Sequence, residues 1–432
     1  MPARTPSLVL HGHFYQPPRE DPWTGRVPRE PSAAPHHDWN ERITAECYRP
    51  ITHARLPDAP DGSARALDAL EWMSFDVGPT LLQWLERAAP DMYERILEAD
   101  RRSRSRANGH GNAIAHPYHH VILPLASPRD RRTEVRWGIA DFERRFGRRP
   151  GGMWLPETAV DLDTLDSLAA EGIAFTVLAP HQLEMRPPAG EPARIRTSGG
   201  REIAVFTYDG GLSHGVAFGE LLRDAAVWER HIESAAEGRS LVALATDGET
   251  YGHHREFGEL ALAALIERVR TAGRLRLDNF ASFLVRHPAR HESRLVAPSS
   301  WSCAHGIERW RSDCGCRLGP LVGPGQAWRR PLRDALEWLA AGLHALYEEE
   351  GRRLFGDPWR VRDAYGRVLE AGEAAREAFV ARALAAGERP TDAASHQAGR
   401  LLEIERDALR LFTSCAWFFD DLARLEPLQV LR

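Results

Sequence analysis

The sequence contains no lysine, so all 56 of its basic residues are arginines. This absence excludes a lysine Schiff base, pyridoxal-phosphate chemistry through a lysine and the lysine of a Walker-type phosphate loop. Long hydrophobic runs are absent too. The first apolar run ends at His11, too early for the core of a signal peptide, and no later run approaches the length of a membrane span. We therefore expect a cytoplasmic protein with no membrane partner.

The sequence has no large excess of charge of either sign. Its 432 residues carry a formal net charge of −5, and the arginines are interspersed with acidic residues, as on solvated helix faces. This pattern gives no electrostatic basis for binding nucleic acid. With 43% hydrophobic residues, the chain is long enough for one large domain and a smaller one.

Cysteine is scarce, since five residues in a chain of this length do not make a disulfide framework. Cys47 and Cys415 stand in surroundings that are typical of small core residues. Cys303, Cys314 and Cys316 are grouped, but their spacing lacks the Cys-x-x-Cys pairs of structural zinc sites. A compact loop with partly buried thiols is the favoured interpretation, and a metal or redox site is the alternative.

The sequence does contain a regular alternation of β-like and helix-like stretches. Runs rich in Val, Ile, Phe and Ala predict strands at 7–14, 151–157, 173–180, 202–209 and 240–247, with 275–284 leading toward a last one. Helical periodicity predicts helices at 133–146, 162–172, 219–238 and 257–273. Because the strands are continuously apolar, this order predicts βα units around a parallel sheet or barrel buried on both faces.

The composition changes after residue 300. Residues 299–330 form an irregular stretch rich in Gly, Trp and Cys, and from Pro331 onward nearly every residue has helical periodicity. Three long amphipathic helices are predicted there, which indicates a helical bundle, at 332–350, 359–385 and 394–422. We therefore predict three regions, namely an α/β barrel domain at 1–298, a connecting segment lining the site at 299–330 and a helical bundle domain at 331–432.

Polar residues concentrate where these strands end. The stretches HGHFYQPP, NGHGNAIAHPYHH, MWLPE, TYDGGLSH and TDGETYGHH each place titratable or aromatic side chains at or near a strand end. In parallel α/β barrels the active site lies at the carboxyl ends of the strands. Several independent segments that deliver His, Asp, Glu and Trp to one edge predict a functional site there.

Two carboxylates stand out in this set. Glu157 ends the stretch GGMWLPE, and Asp247 ends the apolar run LVALATD just before Gly248. A pair of acids on two strand ends suits cleavage of a glycosidic bond, which needs one ionised carboxylate and one protonated carboxyl group. For either acid taken alone, a helix N-cap or a surface position is the alternative.

Four motifs in this order, HGHFYQPP, GHGNAIAHPYHH, WLPE and DGETYGHH, followed by a helical C-terminal region, resemble glycoside hydrolase family 57. The resemblance covers most of the chain and looks closest to a subgroup of long bacterial proteins of that family. It implies an incomplete (β/α)7 barrel related to the TIM barrel, with a helical domain completing the site. It also implies retaining chemistry on oligo- or polysaccharide α-glucans, without a cofactor or metal. Longer members continue past the end of this chain, so we expect a fragment or a short form.

The resemblance assigns roles to individual residues. It places the nucleophile on Glu157 and the general acid/base on Asp247, which retaining chemistry requires to lie about 5 to 5.5 Å apart. Further rim residues are expected to bind the sugar or tune the acid/base, namely His11, His13, His110, Glu249 and His253. Stacking on sugar faces is predicted for Trp154, Trp301 and Trp310, with a buried core position as the alternative. The first motif has two more residues before its glutamine than the commoner H-x-H-Q-P form, so Tyr15 or Gln16 takes that position.

Two other classes of protein stay open. Eight histidines lie in the four motifs, and His116 and His120 are four residues apart, which is a ligand spacing if that stretch is helical. A metal-dependent carbohydrate deacetylase or α-mannosidase-like enzyme would use such a set with an aspartate. A glucan-binding protein without catalysis is the third reading, although both acids are present. The sequence does not fix the oligomeric state or decide among hydrolysis, glucan transfer and branching.

Overall fold

The computed structural model describes residues 5–56, 65–319, 325–384 and 391–432. Two stretches of our predictions, 320–324 of the connecting segment and Ala385 of a predicted helix, lie outside the described residues. The chain folds into two compact units, each built from separate stretches. The barrel unit comprises Met1–Ala115, Pro150–Trp154 and Leu168–Val296, and the helical unit comprises His116–Arg149, Leu155–Ser167 and Ala297–Arg432. The domain boundaries at 298 and 330 stay a prediction.

The strands of the described residues all belong to the barrel unit. They are β1 (Ser7–Phe14), β2 (Ala54–Leu56), β3 (Arg65–Leu67), β4 (Ser74–Val77), β5 (Phe175–Leu178), β6 (Ala193–Arg196), β7 (Glu202–Thr207), β8 (Leu241–Asp247), β9 (Arg276–Leu277) and β10 (His291–Glu292). The predictions for β1 and β8 agree with these bounds to within one residue. The strand predicted at 151–157 is wrong, because only isolated bridges form there, at Gly152 and Met153.

Parallel pairing joins seven segments of the barrel unit in chain order. β1 pairs with β4, and parallel bridges continue from Phe75 to Ala113, from Ala115 to Met153 and from Gly152 to Phe175. β5 pairs with β7, and β8 pairs with β1 along its whole length. The chain after β7 reaches β8 through a 2.7 Å hydrogen bond from an amide N–H to the Ala243 carbonyl. Seven parallel segments, weakly paired between β7 and β8, form the incomplete (β/α)7 barrel that the resemblance implied.

Burial explains why the sequence predicts β1 and β8 so accurately. All eight residues of β1 and the first six of β8 are buried, and Leu8, Val9 and Leu10 are completely inaccessible to solvent. Each large aliphatic side chain buried in this way stabilises the fold by roughly 1.5–3 kcal/mol. The two strands with polar residues at their carboxyl ends, β1 and β8, therefore also contribute strongly to the stability of the barrel.

The helices alternate with the strands and then continue alone to the C-terminus. They are α1 (Trp39–Ile43), α2 (Arg49–Ile51), α3 (Pro79–Ala88), α4 (Pro90–Arg106), α5 (Pro128–Phe146), α6 (Leu162–Ala170), α7 (Gly210–Ala217), α8 (Ala225–Ala236), α9 (Gly258–Ala272), α10 (Phe280–Arg286), α11 (Arg329–Phe355), α12 (Pro358–Tyr365), α13 (Glu373–Ala383), α14 (Asp392–Arg410), α15 (Cys415–Phe418) and α16 (Leu425–Leu431). None of the helices in the described ranges is long and apolar enough to cross a membrane.

The second and third of the three predicted C-terminal helices are wrong as continuous helices, because the chain breaks between α12 and α13 and between α14 and α15. The first of these breaks has a visible cause. Gly366 lies so close to Trp137 that an added Cβ would meet the indole Cδ1 at 2.4 Å, so the backbone itself packs against this ring. Trp137 in turn packs with aromatic residues of the helical unit, including Tyr118 and Tyr365. A local contact that periodicity does not encode therefore ends the helix.

Buried charges link the helices of the helical unit. Arg362 on α12 is fully buried, and its Nη1 donates to Asp130 on α5 (2.8 Å) and to Glu405 on α14 (2.6 Å). His344 on α11 lies 2.9 Å from the same Glu405 carboxylate. Asp130 and Glu405 raise the pKa of His344 to about 9 against the opposing effect of burial. One carboxylate thus holds cations from two other helices.

Replacing Arg362 with methionine is expected to destabilise the protein by about 3 kcal/mol, because the carboxylate of Glu405 keeps its burial and loses its closest cation. Denaturant unfolding followed by circular dichroism measures this cost. The matched control is Arg353→Met, which removes an exposed ion pair on α11 and should cost less than about 1 kcal/mol. Equal costs for the two variants would contradict the proposed role of the buried arginine.

Candidate active site

The register of β1 places three titratable residues in one row at the carboxyl edge of the barrel. His13 is the lateral neighbour of Asp76 on β4 and of Asp247 on β8. Residues in the same row of a parallel sheet project their side chains to the same face. His11 lies two residues earlier on β1 and therefore projects to that face as well. The strand pairing alone thus assembles two histidines and two aspartates.

Asp76 holds both histidines. Its Oδ2 lies 2.8 Å from His13 Nδ1, and its Oδ1 lies 3.1 Å from His11 Nε2. Asp76 is completely buried, and a buried carboxylate needs such partners to stay ionised. Burial lowers the pKa of His13, but Asp76, with help from Asp247 and Glu249, outweighs it and raises the pKa to about 9. His13 is therefore a cation at neutral pH, whereas burial lowers the pKa of His11 and leaves it neutral.

Trp154 supports these histidines. Its indole stacks on His11 with ring centroids 4.7 Å apart and on His13 at 5.5 Å. The indole is fully buried, so it has no exposed face for a sugar in this structure. The predicted stacking of Trp154 on substrate is therefore corrected to stacking on the two imidazoles.

Asp247 is the last residue of β8, and the chain turns directly after it. An added Cβ at Gly248 would meet the Phe14 ring at 2.2 Å, so only glycine fits at this turn. Asp247 is the one residue of β8 that is not buried. Desolvation by the surrounding protein raises the pKa of Asp247 to about 6; the positive charge of His13 opposes this rise, and the negative charges of Glu249 and Asp76 add to it. Its carboxyl group can therefore hold or release a proton near neutral pH.

Glu249 lies in the short turn that follows, and two tyrosines fix it. Its Oε1 accepts hydrogen bonds from the Tyr48 hydroxyl (2.6 Å) and from the backbone N–H of Tyr15 (3.2 Å). The Tyr15 ring lies parallel to His13, whereas Gln16 accepts a hydrogen bond from Arg19. Of the two candidates for the glutamine position of the first motif, Tyr15 is thus the one that flanks His13.

His253 lies farther along the same segment. Its Nδ1 is 2.5 Å from Glu46 Oε2, and its ring meets Trp39 edge to face at 5.8 Å. His253 is part-exposed, and its contacts lie on the helical segment around α1 and α2. The structure therefore gives His253 the role of holding the loop after Asp247, and its predicted contact with sugar stays a prediction.

In the helical unit, Glu157 lies on a strained backbone. Its φ is +58°, and Thr158 follows with a φ of +49°, in the left-handed region that residues other than glycine seldom adopt. Each such residue costs about 1–3 kcal/mol, and such strain clusters at functional sites. The backbone N–H of Trp301 donates to the Glu157 carbonyl (3.1 Å) and helps to fix this conformation.

The Glu157 side chain is oriented by the same segment. Trp301 Nε1 donates to Glu157 Oε2 (3.0 Å), and the Ser302 hydroxyl donates to the same oxygen (2.6 Å). Two donors on one oxygen stabilise the ionised carboxylate and fix its rotamer. Trp301 is half-buried and acts here through its indole N–H, which the stacking prediction did not foresee. Its contact with sugar stays a prediction.

His110 is not at the carboxyl edge of the barrel, and its predicted role in the sugar subsite is wrong. It precedes the strand segment that begins at Ala113, and its carbonyl accepts a hydrogen bond from the Asn279 side chain (3.0 Å). Asn279 follows β9, which pairs with Ser7 and Leu8 at the start of β1. His110 therefore lies toward the amino end of the strands, away from His13 and Asp247.

Two further expectations concern residues of the helical unit. Trp310 is fully buried in an apolar cluster with Trp417 and Ile307, so it is a core residue. The stretch from His116 to His120 is not helical, so their four-residue spacing does not place them on one helix face. The two imidazoles nevertheless lie close together, with centroids 4.9 Å apart and ligand nitrogens within 4.8 Å of each other. His120 Nδ1 lies 2.6 Å from Ser414 Oγ. The metal-dependent alternative therefore stays a prediction.

Three residues of these sites were missed from the sequence. Asp76 and Tyr48 contact the predicted histidines and Glu249, and Ser302 contacts Glu157. Asp76 left a signal, because it is an acid inside the apolar stretch MSFDVG, and a buried acid is rare unless paired. Nothing in the local pattern around Tyr48 or Ser302 distinguishes them from ordinary polar residues.

Comparison with known families agrees with the motifs. The model of "Glycosyl hydrolase family 57" matches residues 8–295, and that of "Domain of unknown function (DUF3536)" matches residues 325–432. The first match covers about two thirds of the chain, so the chain belongs to glycosyl hydrolase family 57. A probable 1,4-alpha-glucan branching enzyme of Mycobacterium tuberculosis strain H37Rv is 30% identical over 99 residues. This match spans 23% of the chain and only 17% of the length of that relative.

Solved structures share the fold at low sequence identity. An exo-type maltose-forming amylase from Pyrococcus sp. ST04 has a TM-score of 0.69 at 16% identity, covering 95% of this chain and 75% of that one. A 4-alpha-glucanotransferase from Thermococcus litoralis has a TM-score of 0.59 at 16% identity, covering 99% and 59% of the two chains. A family 57 branching enzyme from Pyrococcus horikoshii has a TM-score of 0.57 at 15% identity, covering 93% and 95%.

Proposed function

We propose that the protein is a retaining glycoside hydrolase or transglycosidase that acts on α-glucans. Glu157 is the nucleophile that forms a covalent glycosyl-enzyme, and Asp247 is the general acid/base. His13 and Glu249 set the charge around Asp247. The substrate is an oligo- or polysaccharide, and the cytoplasmic location stays a prediction.

The observation that carries this proposal is the placement of Asp247 at the end of β8, paired in register with His13 on β1, together with the effect of these surroundings on its carboxyl group. A general acid must be protonated when the substrate binds, and a general base must then accept a proton from the incoming hydroxyl. Desolvation by the surrounding protein raises the pKa of Asp247 to about 6 at the end of a barrel strand; the charge of His13 opposes the rise, and the charges of Glu249 and Asp76 add to it. Surface aspartates ordinarily titrate near pH 4 and cannot donate a proton at neutral pH.

Glu157 has the complementary properties. A nucleophile must be ionised and held in one orientation. The hydrogen bonds from Trp301 and Ser302 to the Glu157 carboxylate favour both conditions. The strained backbone fixes the position from which the carboxylate projects. Two acids with opposed protonation requirements, each in an environment that meets its own, support the assignment of roles.

The α-glucan class rests on the family and on the names of its relatives, which are amylases, a glucanotransferase and branching enzymes. Incubation with maltooligosaccharides and with amylose tests it. Shorter products indicate hydrolysis, a redistribution of chain lengths indicates 4-α-glucan transfer, and new α-1,6 linkages seen by NMR indicate branching. If no α-glucan is altered, the substrate class is wrong.

The alkaline limb of the pH profile is expected to report Asp247. Because the general acid acts while protonated, kcat/KM should fall as the pH rises above about 6. Glu249→Gln removes a negative charge that raises the pKa of Asp247, so the limb should move to lower pH. His13→Asn removes a positive charge that lowers it, so the limb should move to higher pH, by about one pH unit.

The two shifts of opposite sign separate this electrostatic role from simple loss of structure, which would lower the rate without moving the limb. Profiles of kcat/KM between pH 4.5 and 9 on the best α-glucan measure the shifts. Glu237→Gln, at the exposed end of α8, is the control and should leave the limb in place. Shifts of the same sign in both variants would contradict the assignment of the limb to Asp247.

A further inference from the structure

Four metal-binding side chains converge in the helical unit, outside the proposed catalytic groups. They are Cys303, His305, Cys314 and Cys316, and their ligand atoms all lie within 4.8 Å of one another. The Sγ atoms of Cys303 and Cys314 are 3.8 Å apart, and Cys316 Sγ lies 3.5 Å from His305 Nδ1. The cysteines are not in disulfides in this structure. Sequence reasoning grouped the three cysteines but missed His305.

Two of these distances match the edges of a zinc tetrahedron. With Zn–S bonds of about 2.3 Å and Zn–N bonds of about 2.0 to 2.1 Å, tetrahedral angles separate two sulfurs by about 3.8 Å and a sulfur from a nitrogen by about 3.5 Å. The Cys303–Cys314 and Cys316–His305 contacts, two of the six edges, have these lengths, and the other four distances are below 4.8 Å. A disulfide would instead require sulfurs about 2.05 Å apart.

The cluster is built from two close pairs on separate turns. Cys303 and His305 flank a single residue in a turn that is closed by a hydrogen bond from the Gly306 N–H to the Cys303 carbonyl (3.1 Å). Cys314 and Cys316 also flank a single residue. Each turn therefore supplies two ligands, and the Cys3His set is one that structural zinc sites use.

Two buried arginines lie near the cluster. Arg329 is fully buried, and its Nη1 donates to the Cys316 carbonyl (3.4 Å). Arg309 is also buried and lies over Phe418. A zinc ion bound by three thiolates and an imidazole keeps about one net negative charge, which buried guanidinium groups would offset. Asp420 is a further acid near Arg329, at 3.9 Å.

We propose that Cys303, His305, Cys314 and Cys316 bind one structural zinc ion. Four protein ligands close the coordination sphere, so the ion stabilises the fold and does not bind substrate. Cys303 packs in an apolar cluster with Leu332 of α11 and Ala416 of α15, so the ion ties residues 303–316 to these helices. Because Trp301 and Ser302 directly precede Cys303, the ion also steadies the two donors to Glu157. This last effect alone rests on the proposed function.

Metal analysis of the full-length protein tests the site directly. Protein purified without chelator, or reconstituted with zinc and passed through a desalting column, is expected to contain about one zinc per chain. Replacement by cobalt(II) should give the sulfur-to-cobalt charge-transfer band and the visible bands of a tetrahedral thiolate site. A zinc content near zero after reconstitution, or a Cys303–Cys314 disulfide in the mass spectrum of the unreduced protein, would overturn the proposal.

Variants locate the ion. His305→Asn changes an exposed ligand and should weaken zinc binding by more than about 100-fold, since loss of an outer-shell partner alone costs 10–100-fold. His396→Asn on the exposed face of α14 is the matched control and should bind zinc like the wild type. Cys316→Ser should lose zinc, whereas Cys415→Ser should keep it. Equal zinc affinity in His305→Asn, Cys316→Ser and the wild type would place the metal elsewhere and refute the site.

Thermal unfolding distinguishes a structural ion from one bound by chance. Zinc should raise the Tm of wild-type protein that has first been freed of metal, and a chelator should reverse the rise, while the Tm of His305→Asn treated in the same way should respond to neither. A Tm of the wild type that does not change with zinc would contradict the structural role. The zinc content and the Tm do not depend on glucan activity. If the protein binds zinc but converts no α-glucan, the proposed function fails and the zinc site stands.

Discussion

Glu157→Gln is expected to lower turnover of α-glucans by about 10⁴-fold or more, equivalent to about 5.5 kcal/mol of barrier. Glutamine keeps the size of the side chain and can still contact Trp301 and Ser302, but its amide cannot form the glycosyl ester. Steady-state kinetics on the substrate that the wild type converts measures the loss. Glu349→Gln on the exposed surface of α11 is the matched control and should keep full activity.

Trapping gives the same prediction a chemical readout. A 5-fluoro glycosyl fluoride should form a slowly hydrolysed ester on the wild type, seen as one added glycosyl group in the intact mass and located on the peptide that contains Glu157. In Glu157→Gly, azide can occupy the vacated space and should yield the β-glycosyl azide from an α-glycosyl fluoride. A label on any other residue would contradict the assignment. If Glu157→Gln retained activity, the reaction would not use Glu157 as its nucleophile.

Binding separates an enzyme from a glucan-binding protein. Glu157→Gln should bind a maltooligosaccharide about as tightly as the wild type, because the substitution removes the reaction and leaves the surrounding side chains in place. Calorimetry on the variant measures this affinity. A wild type that binds glucan but never converts it would instead support the non-catalytic reading.

The sequence predicted the strands that are long and buried along their whole length. The run SLVLHGHF is β1 residue for residue, and the apolar run that ends at Asp247 is β8. Continuous burial gives continuous hydrophobicity, which a sequence pattern records directly. The parallel pairing of β1 with β8 then explains why the histidines of one motif lie beside the aspartate of another.

The short strands of the barrel give no recognisable hydrophobic run in the sequence. β4 has four residues, and the third and fourth barrel segments are single bridges at Ala113, Ala115, Gly152 and Met153. With so few residues the pattern does not differ from that of a loop, so Asp76 could not be placed at the carboxyl edge in advance. For the same reason the position of His110 relative to the third segment was misjudged.

Burial of aromatic and thiol side chains is decided by tertiary contacts. Trp301 and Trp310 are nine residues apart in one irregular stretch, yet one donates to Glu157 and the other lies in the core. His305 looked like one histidine among nineteen until the fold brought it beside three cysteines. No periodicity operates over an irregular segment, so its sequence pattern could not predict either result.

Asp247→Ala is expected to have an effect that depends on the leaving group. For α-glucans, whose leaving sugar needs a proton, loss of the general acid should reduce kcat/KM by about 10²- to 10⁴-fold. An α-glycosyl fluoride releases fluoride ion, which leaves without protonation, so the first step should persist. The glycosyl-enzyme should then accumulate because no base activates the acceptor. A burst of fluoride followed by slow turnover is therefore expected.

Azide also tests the role of Asp247 as acid/base, and here the expected product has the opposite stereochemistry. In Asp247→Ala it should attack the glycosyl-enzyme on Glu157 from the face that the acceptor uses, need no base, and yield the α-glycosyl azide. The β-azide from Glu157→Gly and the α-azide from Asp247→Ala would together identify one residue as nucleophile and the other as acid/base. Asp392→Ala at the exposed start of α14 is the control and should give neither rescue. If Asp247→Ala lost activity equally on fluoride and glucan, Asp247 would have a role other than proton transfer, such as binding the sugar or preserving the charge balance around His13.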